Sequence, residues 1–257
     1  MSQVFDVYIH GYSGNAESLK YFANDFSSGG FEILTLPGFH DDTVLTEVQK
    51  KDIFAYSELV WQSITKLAST KKVRRIAHSH GCMLAFAIAT SHPERIESCV
   101  FIAPVARPAF VTGIFTIFLH YTAKLINADN TVSILRNKFF VDAISNYQVS
   151  NKKDKSMLKK ISAMRRREAQ MYRTAVVDCL MHSENFAKNA ADRILATPVL
   201  LVLPGHDKIA GKADILWYKN HISQVSEVSV DGGHISIVEQ PLVVSDTIKN
   251  TKTSILS

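Results

Sequence analysis

Ser79 sits in the run Ala77-His78-Ser79-His80-Gly81, directly after an apolar strand-like stretch and directly before a helical one. Small residues two places either side of a serine at such a junction permit a sharp turn that holds the hydroxyl out as a nucleophile. Ala77 stands where the usual G-x-S-x-G pattern has its first glycine, and a methyl is the smallest departure available. The bland alternative is an N-cap serine. A serine nucleophile needs a base, and the base needs an acid to orient it and stabilise its charged form. Two later turns offer them: Pro204-Gly205-His206-Asp207 and Asp231-Gly232-Gly233-His234, each just past an expected strand. Ser79, Asp207 and His234 therefore occur in the order Ser, Asp, His. Asp214 and Asp231 compete with Asp207, but Asp214 falls inside a helical pattern and Asp231 is close to the base in sequence. Near the start, His10-Gly11-Tyr12-Ser13-Gly14 follows another apolar run, and an N–H just beyond such a His-Gly can turn toward a developing oxyanion.

Positioning these groups requires strands that end at one edge. Short β-branched runs alternate with helical patterns, which implies an α/β fold with a mostly parallel sheet flanked by helices. Strands are expected at Val4–His10, Phe31–Leu36, Val73–Ala77, Ser98–Ala103, Val199–Leu203 and Ser226–Val230. Between them, helices are expected around Leu19–Phe26, over Glu47–Ala68 with Ile53, Tyr56, Val60, Ile64 and Leu67 as the buried stripe, over Gly81–Thr90, and near Val238–Lys249. One interruption is too long for an ordinary connection and carries helical patterns of its own. It divides the chain into a core of 1–105 and 191–257 and an inserted helical subdomain, 106–190, a candidate lid. The insertion holds 14 Lys/Arg against 6 Asp/Glu, a net +8, and leaves −3 for the remainder.

These pieces resemble the α/β-hydrolase family, over nearly the whole chain outside the insertion. They are His10-Gly11-Tyr12-Ser13-Gly14, the elbow Ala77–Gly81, the strand Pro198–Leu203 with Asp207, and Gly232-Gly233-His234 followed by Glu239-Gln240-Pro241. The resemblance implies Ser79 as nucleophile, His234 as base, Asp207 as its orienting acid, and the backbone N–H groups of Tyr12 and His80 as oxyanion hole. It also implies that the insertion is a cap. The family's usual N-terminal β-hairpin has no counterpart, so six strands are expected.

Other chemistries fit less well. Gly205–Lys212 spaces its glycines five residues apart where a phosphate loop needs four, and Ala213 replaces the residue that would hold magnesium. His78 and His80 flank a tight elbow and point apart, with no H-E-x-x-H or carboxylate cluster beside them, so no metal is implied and no cofactor either. His10 reads as a structural motif residue, and His40, His120, His182, His206 and His221 have no expected catalytic role. Three scattered cysteines, Cys82, Cys99 and Cys179, signal neither disulfides nor zinc and suit a reducing cytoplasm. A net charge of +5 without a nucleic-acid motif argues against nucleic acid. Met1–Asp6 lacks a signal-peptide pattern, and the longest apolar tract, Ala109–Leu119, falls short of the ~20 residues of a membrane span.

The expectation is a serine esterase or thioesterase acting on a small or medium acyl substrate through an acyl-enzyme. The elbow alone does not separate an ester from a thioester, an amide or a carbon–carbon bond beside a ketone. Two readings outside this class remain open: a receptor that binds a small molecule under the cap, and a cofactor-free oxygenase using the His/Asp pair, since the Ser-His-Gly run resembles that of some dioxygenases of this fold. Phe115 and Phe118, in the apolar stretch Phe110–Tyr121, are expected to line the substrate pocket. The basic stretch Lys152–Arg167 is expected either to be solvated or to attract an anion, such as a coenzyme A or carrier-protein thioester or an anionic membrane surface.

Overall fold

Buried parallel strands bury side chains on both faces, so residues of period two divide between two cores. In the computed structural model, which describes residues 4–12, 14, 16–68, 71–107 and 128–251, β1 (Phe5–Ile9) sends Val7 and Ile9 to one face and Tyr8 to the other. The chain continues through α1 (Ala16–Phe26), β2 (Phe31–Ile33), α2 (Ile53–Ala68), β3 (Val73–His78), α3 (His80–Ser91) and β4 (Ile96–Ile102). Four helices follow, α4 (Ala128–Arg136), α5 (Lys138–Gln148), α6 (Lys155–Gln170) and α7 (Ala175–Asn189). The chain then adds β5 (Val199–Pro204), α8 (Lys212–His221), β6 (Val225–Val230), α9 (Ser236–Glu239) and α10 (Pro241–Lys249). The six strands form one parallel sheet in the order β2-β1-β3-β4-β5-β6. Leu19, Phe22 and Phe26 of α1 and Val244 and Ile248 of α10 cover one face, while α2, α3 and α8 cover the other.

All strands run the same way, so every strand's carboxyl end lies at one edge. β2 and β3 flank β1 on opposite sides, so the chain direction across the sheet reverses there and opens a crevice beyond β1 and β3. The elbow after β3 and the His10-Gly11 turn after β1 both face it.

Several of the expected element boundaries move. α2 begins at Ile53 and not at Glu47, because the Asp52 carboxylate accepts the Phe54 N–H at 3.0 Å and caps the helix, while Thr46 and Gln49 close a turn before it. Its stripe ends on Ala68, and Leu67 is exposed. β2 stops at Ile33, although Leu34 N–H still donates to the Tyr8 carbonyl. The closing helix is two, broken where Pro241 lacks an N–H and Gln240 leaves the helical conformation at φ −150°, ψ 62°.

The helices between β4 and β5 share one apolar core with the sheet: Val132, Leu135, Ala169, Tyr172, Val176 and Phe186 belong to the cluster of Ile9, Ala77 and Phe101. α7 packs on α2 and α5 on α6. Arg173 N–H donates to the Phe39 carbonyl, and the chain leaving β4 is held by Asp214 of α8, whose carboxylate accepts the Ala106 N–H at 3.1 Å and the Gly211 N–H at 2.9 Å. Tyr218 O–H donates to the Val105 carbonyl beside it. The three arginines of α6 are engaged. Arg165 is buried against Gln148 and Glu168, whose carboxyl is pushed up to about 7 by burial, partly offset by Arg165. Arg166 pairs with Asp142 and Arg167 with Glu17. This part of the basic stretch therefore offers no free cations, whereas Lys152, Lys153, Lys155, Lys159 and Lys160 are exposed. Phe115 and Phe118 lie outside the described residues. Among those described, no helix is long and apolar enough to cross a membrane.

The elbow depends on the close approach of α3 to β1. A Cβ on Gly81 would meet the Ile9 and His10 carbonyl oxygens at 2.6 and 2.7 Å, both backbone atoms that cannot swing aside. Gly81→Ala should therefore lower stability by about 1–3 kcal/mol, visible as a depressed Tm in thermal unfolding. An unchanged Tm would mean that this approach is not maintained.

Candidate active site

Ser79 occupies the one-residue turn between β3 and α3 with φ 55° and ψ −122°, a left-handed conformation disfavoured for any side chain. Its N–H donates to the Ile102 carbonyl at 2.9 Å, and its carbonyl accepts the Cys82 N–H. The turn is thus tied to β4 and to the first turn of α3. Ala103, at the end of β4, is a second residue of positive φ, at 49°.

His234 lies in the turn after β6 and Asp207 in the turn after β5. The structure brings them together with Ser79: His234 Nε2 is 2.8 Å from Ser79 Oγ, and its Nδ1 is 2.9 and 3.1 Å from the two Asp207 oxygens. An ionised carboxylate only accepts, so Nδ1 carries the imidazole proton and Nε2 presents a lone pair to the serine. Asp207 is buried, which alone would raise its pKa. The neighbouring His234 and the N–H groups of Ile209 and Ala210, at 2.7 and 3.0 Å, more than offset this and hold the carboxyl below its usual range.

The rival acids are occupied elsewhere. Asp214 braces the segment leaving β4, and Asp231 is exposed and faces His206 at 3.4 Å. The turn after β1 lies against the serine: a Cβ on Gly11 would be 3.0 Å from Ser79 Cβ. Tyr12 follows in that turn, and His80 N–H belongs to the first turn of α3, where backbone donors lack an acceptor within the helix.

Two further residues shape the site in ways the local sequence does not reveal. His78 is buried, and its Nε2–H donates to the His234 carbonyl at 2.8 Å; burial, with His234 adding to it, pulls its pKa down to about 3, so it is neutral. Glu239 accepts the Gly233 N–H at 2.7 Å with one oxygen and the Ser150 N–H and O–H at 2.8 and 3.0 Å with the other. The backbone is thereby held at His234 itself, whose carbonyl meets His78, and one residue earlier, where the Gly233 N–H meets Glu239. The second link also joins the base to the α5–α6 loop. The fit there is tight, since a Cβ on Gly233 would come within 2.2 Å of the Gln148 carbonyl oxygen. Glu239 was visible in sequence only as part of Glu239-Gln240-Pro241, with no sign of the partners it would reach.

Such an arrangement can remove a proton from a hydroxyl and return it to a leaving group. Among the described residues, no group of three or more His, Cys, Asp or Glu is arranged to hold a metal ion.

Comparison with known proteins agrees with this architecture. The chain matches the family of the alpha/beta hydrolase fold over residues 7–241. No curated protein sequence matches it. Among solved structures, it is similar to a hydrolase from Oleispira antarctica (13% identity, TM-score 0.74, covering 97% of this chain and 90% of that one). It is also similar to a thermophilic esterase from Thermogutta terrifontis (18%, 0.73, 96% and 89%). An enol-lactonase from Burkholderia xenovorans is a third such structure (14%, 0.73, 97% and 91%). Likeness at these identities speaks for the fold alone. The family match spans most of the sequence, and with it the six-stranded parallel sheet shows that the chain belongs to the α/β-hydrolase family.

Proposed function

We propose that the protein is a serine hydrolase that cleaves an ester or thioester of a small or medium acyl substrate through an acyl-enzyme. The observation carrying this reading is the continuous hydrogen-bonded line from Ser79 Oγ through His234 to Asp207, on a strained elbow at the carboxyl edge of the sheet. His234 Nε2 takes the Ser79 proton as the oxygen attacks the acyl carbon. Asp207 stabilises the imidazolium that forms, and the Tyr12 and His80 N–H groups hold the oxyanion. The imidazolium then protonates the leaving group, and water, activated by the same base, releases the acid. The helices between β4 and β5 act as the cap over the acyl chain. The esterase and the enol-lactonase of similar fold lend support to carboxyl-ester chemistry.

A thioester of coenzyme A or of a carrier protein is the anionic variant of this substrate, and the five exposed lysines at the start of α6 are the residues that would meet its phosphates. Replacing Lys152, Lys153, Lys155, Lys159 and Lys160 by Gln should then raise KM for an acyl-CoA roughly 3- to 10-fold at low salt, with less effect at high salt, and leave a neutral ester of the same acyl chain unchanged. Equal effects on both would discard the thioester.

Ser79→Ala should abolish labelling by a fluorophosphonate probe and reduce kcat at least about 10³-fold, with the fold retained. Full labelling of that variant would remove Ser79 as nucleophile and with it the hydrolase reading. Asp207→Asn should lose a comparable factor, while Asp214→Asn should lower Tm and leave the chemistry largely in place; the reverse pattern would reassign the acid.

The base must be neutral to accept the proton, so kcat/KM should fall as pH drops through the range in which histidine titrates, approaching tenfold per unit on the acid side. Asp207 stays ionised across that range because its carboxyl is held low, so a single ionisation should describe the limb. A flat profile with a non-ionising substrate would exclude a histidine base.

A further inference from the structure

Around the proposed nucleophile stand three imidazoles that take no part in the mechanism above: His10, His80 and His182, whose side chains are all at most 4% exposed. His10 opens the turn after β1, His80 follows Ser79, and His182 on α7 stacks on His80 with ring centroids 6.2 Å apart and planes 16° from parallel. Hydrogen bonds fix the tautomers of His10 and His182. His10 Nδ1 lies 2.9 Å from the Gly11 carbonyl oxygen and His182 Nε2 against that of Gln49; carbonyls only accept, so those nitrogens carry the protons. The other nitrogens, His10 Nε2 and His182 Nδ1, are therefore lone pairs, and both are buried without a partner. Neither ring nitrogen of His80 has a partner, and one of these must also be a lone pair. Burial holds all three rings neutral, with pKa values pulled down to about 4, 3 and 4.

Buried polar atoms are nearly always hydrogen-bonded in a folded protein, so a cluster of orphans beside a reactive group marks where something else binds. The sign of the orphans says what kind of group it is. Three lone pairs against one N–H ask for a hydrogen-bond donor, and the neutral rings do not attract an anion.

We propose that His10, His80 and His182 form a subsite that accepts hydrogen bonds from a hydroxyl or amine on the substrate, and so select a hydroxylated or amino-bearing ester over a purely alkyl one. The inference rests on the hydrolase reading and narrows its substrate class. Recognition works by exclusion: an alkyl group in this position would leave the lone pairs buried and unpaired, which is the more discriminating arrangement for a pocket. His80 contributes its N–H to the oxyanion and its ring to this subsite, so the two functions adjoin.

The test uses isosteric pairs with the full-length protein: 4-nitrophenyl hydroxyacetate against 4-nitrophenyl propanoate on the acyl side, and 2-hydroxyethyl acetate against propyl acetate on the alcohol side. The measured quantity is the ratio of kcat/KM within each pair, after correction for the intrinsic alkaline hydrolysis rates. In the native protein, the hydroxylated member should be favoured roughly tenfold or more in at least one series. His182→Leu should bring that ratio close to one. His182→Gln keeps an N–H for Gln49 but loses the acceptor at the Nδ1 position and should do the same, whereas His182→Asn keeps an acceptor there and should retain most of the preference. Because each ratio is internal to one variant, partial unfolding does not imitate the result. Turnover without preference in either series, or a preference that survives His182→Leu and His182→Gln, overturns the subsite alone. No turnover of any ester overturns the hydrolase reading, and this inference falls with it.

Discussion

Ser79 adopts a backbone conformation that costs of order 1–3 kcal/mol for a residue with a side chain, and the rest of the site follows from how that cost is met. The Ser79 N–H is satisfied by β4, its carbonyl by α3, and α3 is drawn against β1 so closely that only glycine fits at position 81. None of these contacts is local to the turn. They require three parallel strands in register and a helix seated on them, so the hydroxyl is presented only when the centre of the sheet is assembled. Asp207 and His234 come from the adjoining turns after β5 and β6, where parallel strands end at the same edge.

Around this edge lie several buried polar groups. Asp207 is matched to its environment by two backbone donors and the imidazole, which keeps it ionised in a place where burial alone would neutralise it. His78 is matched by a carbonyl. The three histidines of the proposed subsite are not matched, and each orphaned atom opposes folding by about 1–3 kcal/mol. On the proposed reading such groups oppose folding and favour selectivity, while two extended apolar clusters lie on the two faces of the sheet.

Much of this was legible in the sequence because it is encoded locally. Short β-branched runs mark the strands, and Ser79, Asp207 and His234 each stand a few residues past one, which was enough to bring the three to a common edge. What escaped depended on distant partners. The carboxylate of Glu239 finds Ser150 across 89 positions and His78 finds the His234 carbonyl across 156, and no periodicity announces either. The basic stretch was legible only in part, for the opposite reason. Arg165, Arg166 and Arg167 look like a patch in one dimension, but the helix turns one of them inward and pairs the other two with Asp142 and Glu17. The overlong expectation for α2 failed on a side-chain cap at Asp52, which outweighs continued helical propensity before it.

The clasp made by Glu239 reads backbone N–H groups at Gly233 and Ser150, and the close approach of Gly233 is likewise to a backbone oxygen, that of Gln148. Side chains in 148–151 are held by separate contacts, Gln148 by the buried Arg165, Val149 in an apolar cluster and the Ser150 hydroxyl by Glu239, whereas these backbone contacts constrain something else. The segment is not free to change length. A single residue gained or lost between α5 and α6 would move the amides away from the carboxylate and push the loop into Gly233. Variation among descendants of this sequence should therefore enter the helices by exchange of residues, while the short bridge between them keeps its count.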